Sequence, residues 1–298
     1  MPLRAVVTRA VALCVCGAAA LHAQSPTVAS GLPGHVVEVE AGEFFLRAVD
    51  TIPAGLTTFR LRQVGMVQRR VRAGGAALDS MTFDRGDQTR GFHMLWVVRL
   101  DDGKTVADFA RAVQADAARP WARSLGGPGF VLPPATTNAT LALEPGNYVL
   151  VCHVGSLRED RSRHHTRNGM FRGLTVVPSQ TPTAPMPRAD VVVRIAGDGA
   201  LHFSGPLVAG RRVVRVENAS ADDYEFQVRR VRPGHTAAEA LAWRRPPGSL
   251  ARGPFYPVGG LSDVPGGGSV TTTMTLPAGD YFVGGATRAP FRVVSARR

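Results

Sequence analysis

Short apolar runs separated by turn residues dominate the chain. Val37-Glu-Val-Glu40 and Val214-Arg-Val-Glu217 alternate apolar and charged residues, the period-2 pattern of strands with one buried face. Leu95 to Val98 and Tyr148 to Val151 are denser apolar runs, which predict strands covered on both faces inside a sandwich. Helical periodicity is confined to two places. Thr105 and Asp108 have capping-box spacing, and Val106, Phe109, Ala110 and Val113 share one helical face. Thr236 to Trp243 repeats this more briefly. The pattern predicts an all-β chain of Greek-key β-sandwiches, each with one short helix, in preference to an α/β fold.

The chain also matches itself. Ala54-Gly-Leu-Thr-Thr-Phe-Arg-Leu-Arg62 resembles Ala209-Gly-Arg-Arg-Val-Val-Arg-Val-Glu217, and Leu143-Glu-Pro-Gly-Asn-Tyr148 resembles Leu276-Pro-Ala-Gly-Asp-Tyr281. Between them, Val97 to Asp108 resembles Val228 to Glu239, so the matches keep one order, as two copies of one domain would. A Pro-rich, charge-free stretch, Pro178 to Pro187, reads as a linker. The expected organisation is a signal peptide over 1–23, a first domain over 34–177, a linker over 178–188 and a second domain over 189–296.

The signal-peptide expectation comes from Arg4 and Arg9, the short apolar stretch Ala10 to Leu21 and a cleavage-like Leu21-His22-Ala23. It implies a periplasmic or secreted protein, and no later segment is apolar enough to span a bilayer. Cys14 and Cys16 would leave with the signal, so Cys152 would be the one mature thiol, with no internal disulfide. The formal charge is +12, which favours acidic partners. Lys104 is the only lysine, and this arginine skew looks more like codon bias than a designed patch. The basic stretch Arg158, Arg161, Arg163, Arg167 and Arg172 carries histidines and no regular aromatics, so it reads as a solvated loop and not a nucleic-acid site. Asn138-Ala-Thr140 and Asn218-Ala-Ser220 match the glycosylation pattern.

Cys152 closes the run Leu143-Glu-Pro-Gly-Asn-Tyr-Val-Leu-Val-Cys152, with His164, His165 and Met170 downstream and His93 upstream. A strand-end thiolate, two imidazoles and a thioether are the ligand types of a blue-copper centre. The second copy lacks them: with Gly103 set against Gly234, His93 falls opposite Tyr224, and with Gly146 set against Gly279, Cys152 falls opposite Gly285. His153 follows Cys152 and so points to the other face of its strand. His164 is an alternative to His165, with a poorer spacing to Met170. For Met170 the plain alternative is core packing, and for Cys152 a buried inert thiol.

These stretches resemble the cupredoxins, the plastocyanin-like family, and within it bacterial exported proteins with cupredoxin-like domains. The resemblance rests on Ile52-Pro-Ala-Gly-Leu-Thr-Thr-Phe59, on His93 before Val97-Val-Arg-Leu-Asp-Asp-Gly-Lys-Thr105, on Leu143 to Cys152, and on His165-Thr-Arg-Asn-Gly-Met170. It covers most of the first domain and implies His93, Cys152, His165 and Met170 as ligands, with copper as cofactor. Twelve residues separate Cys152 from His165, more than the family usually has, and so long a loop positions a ligand less rigidly.

Three function classes follow. The favoured expectation is an exported copper protein that carries one electron to a redox or acidic protein partner. The alternative is a metal-free binding or scaffold protein on the same sandwich. A two-domain copper oxidase or nitrite reductase is disfavoured, because the second copy offers only His202 and His235 and there is no His-x-His pair. The expectation is therefore a non-enzyme. No Ser/His/Asp order, phosphate-binding glycine loop or Cys-x-x-Cys zinc pattern stands out.

Overall fold

A computed structural model describes residues 31–296, apart from 43, 65–71, 74–75, 78–92, 133–134, 155–163, 245–252 and 285–288. The expected export segment lies outside the described residues, as do Arg158, Arg161, Arg163 and Gly285. Leu32–Arg298 forms one compact unit. The fold is all-β, built of β-sandwich halves, and among the described residues each half carries one short α-helix.

In the first half, one face carries β1 (His35–Gly42), β2 (Phe45–Arg47), β4 (Gly55–Gln63) and β9 (Thr136–Leu143), in the order β2-β1-β4-β9. The opposite face carries β3 (Thr51–Pro53), β7 (Trp96–Leu100), β8 (Ala122–Ser124), β10 (Gly146–Val151) and β11 (Phe171–Val177), in the order β3-β11-β10-β7-β8. A short hairpin, β5 (Arg72–Ala73) with β6 (Ala76–Ala77), stands apart. The helix α1 is Val106–Gln114.

The second half repeats these pairings. It contains β12 (Val191–Ile195), β13 (Leu201–Phe203), β15 (Gly210–Asn218) and β18 (Ser269–Leu276) on one face, ordered β13-β12-β15-β18. Its other face has β14 (Leu207–Val208), β16 (Tyr224–Val231), β17 (Phe255–Val264), β19 (Gly279–Gly284) and β20 (Pro290–Val294), ordered β14-β20-β19-β16-β17. The helix α2 is Ala237–Ala242. Both capping boxes form: Thr105 with Asp108 and Thr236 with Glu239 satisfy the first-turn N–H groups reciprocally. Tyr148 donates to Glu144 O at 2.8 Å and Tyr281 to Pro277 O at 2.7 Å, so the same corner closes β10 and β19.

One sheet runs through both halves, because β9 pairs with β18 at Thr140 and Thr271. Asn138 clamps that seam. Its amide donates to Thr273 O at 2.7 Å and accepts from Thr273 N at 2.9 Å, while Thr272 Oγ1 donates to Asn138 O at 2.7 Å. Gln227 of β16 ties the other faces together, accepting from Phe130 N at 3.1 Å and donating to Leu261 O at 2.8 Å.

Alternation along β10 sets up the site. Tyr148, Leu150 and Cys152 face the sandwich core, whereas Val149 and Val151 join Trp96, Val98, Leu100 and the helix residues Phe109 and Val113 in a second cluster. Both faces of β7 and β10 are therefore covered. That is why these strands are continuous apolar runs in sequence.

Candidate metal centre

His93, Cys152 and His165 converge, each at most 1% exposed. His93 lies just before β7, and its carbonyl accepts from the Gln63 side chain. Cys152 follows β10 and continues its pairing: Cys152 N donates to Met170 O at 3.0 Å. His165 opens a short 3-10 turn, His165–Asn168, which Gly169 ends at φ 84°, a left-handed conformation that glycine adopts without strain.

The loop between Cys152 and His165 is long, but its ends are stitched together. His165 N donates to Val154 O at 2.9 Å, and Met170 N donates to His165 O at 3.1 Å. Thr166 Oγ1 donates to Cys152 O at 2.7 Å and lies 3.0 Å from His153 Nδ1. These bonds fix Cys152, His165 and Met170 on one short frame whatever the path of 155–163.

The three donor atoms form a nearly regular triangle. His93 Nδ1 is 3.2 Å from His165 Nδ1, and Cys152 Sγ is 3.7 Å from His165 Nδ1 and 4.0 Å from His93 Nδ1. The point equidistant from all three lies about 2.1 Å from each, within the roughly 2.0–2.3 Å span of metal–nitrogen and metal–sulfur bonds. One thiolate and two imidazoles around such a point suit copper, and the shortage of hard oxygen donors disfavours magnesium or calcium. Among the described residues no other group of three histidine, cysteine or carboxylate donors comes together within 4.8 Å.

Met170 is fully buried in the same core cluster as Cys152. His164 is separated from the triangle: it is exposed, and its Nδ1 lies 2.8 Å from His153 O. His153 points to the opposite face, its ring edge-on to Trp96 at 5.3 Å. Arg167 and Arg172 of the basic stretch are held in ion pairs with Asp116 and Asp50.

Burial governs the electrostatics. It pushes the Cys152 thiol up to about 12, against the opposing pull of backbone hydrogen bonds from Val154 and Met94. Without a metal the sulfur is therefore protonated at neutral pH, and an incoming metal has to displace that proton. Burial, with smaller contributions from Arg119 and His164, lowers His153 to about 4, so its ring is neutral.

Sequence reasoning missed three neighbours. Phe44 sets its ring edge-on to His165 at 5.3 Å from a left-handed φ of 57°, a costly conformation for a bulky residue. No sequence signal marks it. Gln63 is a polar residue ending an apolar strand, and Thr166 directly follows the ligand candidate. Those positions were readable as supports.

No family model matches the chain, and no curated protein matches it. Among solved structures, reduced auracyanin from Roseiflexus castenholzii is 18% identical, over 48% of this chain and 97% of its own, at a TM-score of 0.28. A copper nitrite reductase from Nitrosomonas europaea is 11% identical, over 88% of this chain and 94% of its own, at 0.22. A multi-copper oxidase from Pseudomonas thermotolerans is 11% identical, over 89% of this chain and 64% of its own, at 0.23. The expectation of a non-enzyme is corrected by these matches, since the structures that run along nearly nine-tenths of the chain are copper enzymes by name. Scores this low assign no reaction to this chain, and the metal centre rests on its own geometry. Among the described residues no helix is long and apolar enough to cross a membrane.

Proposed function

We propose that this protein holds one copper ion through His93 Nδ1, His165 Nδ1 and the Cys152 thiolate, with Met170 as a weak axial donor, and uses it to pass single electrons. The triangle of donor atoms with its centre about 2.1 Å from each corner carries this reading. Copper in such a site supplies a one-electron couple whose potential the axial donor and the surroundings of the sulfur tune. The chain's part is to hold the donors still and dry. Three buried donors on a stitched frame have little room to rearrange between oxidation states, and the sandwich core excludes water from the sulfur.

The N-terminal pattern supports a periplasmic or secreted location, and the +12 formal charge supports an acidic redox protein as partner. The test is addition of copper(II) to the purified protein, with Cys152→Ser as control. An intense visible band from the thiolate–copper bond, absent in the variant, is the expected result. A wild-type protein that stays colourless and binds no copper removes the reading and leaves the metal-free scaffold.

A further inference from the structure

A second site lies on the other face of β10. A cavity of about 330 Å³ opens there, lined from the first half by Trp96, Phe109, Arg119 and His153 and from the second by Asp223 and Asp263. It is within the size range of small-molecule sites. Its charge runs against the basic chain around it. Asp263 is only 7% exposed, accepts a hydrogen bond at 3.1 Å from Ser124 Oγ, and has no cationic partner among the described residues. Ionising a buried carboxyl with a single hydrogen bond and no counter-ion is costly, and a cation in the adjoining cavity relieves that cost.

We propose that this cavity binds a small organic ammonium compound with a flat apolar body. The ammonium group pairs with Asp263 and Asp223. The apolar body lies against the accessible edge of Trp96, because the Phe109 ring is covered by Arg119 and Phe171. A bare divalent ion does not fit, because the cavity's histidine and carboxylate donors do not gather in a set of three within 4.8 Å. Arg119 limits the ligand to one positive charge. Its guanidinium stacks over Phe109 at 5.4 Å and donates to Ala117 O at 3.1 Å, so it occupies the far edge as a fixed like charge. The site is independent of the copper reading, and its test uses protein without added metal.

The probe is 2-phenylethylammonium, titrated into the full chain and followed by tryptophan fluorescence and calorimetry. Of the three tryptophans only Trp96 lines the cavity. Saturable one-to-one binding is expected, weakened about tenfold or more by Asp263→Asn and by several-fold by the exposed Asp223→Asn. The anion 3-phenylpropionate, similar in shape and opposite in charge, is expected to bind about tenfold or more less tightly. The proposal is overturned if the amine shows no saturable binding, if both variants bind it as the wild type does, or if the anion binds equally well.

Discussion

Replacing Asp263 with asparagine removes one ionisable group from the seam between the halves while keeping its shape and an acceptor for Ser124. Burial, reinforced by the charges of Asp223 and Glu225, raises the Asp263 carboxyl to about 7, against the lowering effect of the Ser124 hydrogen bond. In the unfolded chain it titrates at about 3.9. Between these values the folded protein keeps a proton that the unfolded chain has released, so stability falls as pH rises through that window. A gap of about three pKa units corresponds to roughly 4 kcal/mol, fully felt above pH 7 and absent below about pH 4. Asp263→Asn is therefore expected to be more stable than wild type at pH 8, by up to about 4 kcal/mol, and close to it at pH 4. Urea unfolding at several pH values, followed by fluorescence, measures both curves. Parallel curves, with an unchanged gap between the two proteins from pH 4 to 8, would show that the Asp263 carboxyl titrates alike in the folded and unfolded chain.

Other outcomes follow from named contacts. Asn138→Ala strips the clamp from the β9–β18 seam and leaves Thr273 N and O without that partner, which is expected to cost about 1–3 kcal/mol in urea unfolding. With its thiol raised to about 12, Cys152 in the metal-free folded protein is expected to react with iodoacetamide orders of magnitude more slowly at pH 8 than in urea. Equal rates would show that the sulfur is neither buried nor protonated. Met170→Leu keeps the apolar volume of a fully buried side chain, so the variant is expected to fold and bind copper with a shifted reduction potential. An unchanged potential, read by voltammetry, would place the thioether in packing alone.

The architecture was largely legible because its signals are local. Apolar alternation in Val37 to Glu40, dense runs at Leu95 and Tyr148, and two capping boxes each depend on neighbours within a few residues. The fate of His153 was readable for the same reason, since a strand sends adjacent side chains to opposite faces. His93, Cys152 and His165 were joined as candidate ligands by their donor chemistry and by the resemblance to the cupredoxins, not by any local pattern. What sequence could not supply was the stitching of Val154, Thr166 and Met170 across the loop, because those bonds join residues whose separation says nothing about their approach. The seam was hidden too. Asn138 reads as a glycosylation acceptor in sequence, yet it is half-buried and its amide is engaged by Thr273. The cavity at Asp263 draws on both halves, and no local pattern reports such a meeting.

X-ray absorption at the copper edge of the loaded wild-type protein reads the donor set itself. Two nitrogen donors at about 2.0 Å and one short sulfur at about 2.3 Å are expected, with the sulfur lost in Cys152→Ser. A first shell made only of nitrogen and oxygen, unchanged by that substitution, would contradict that donor set.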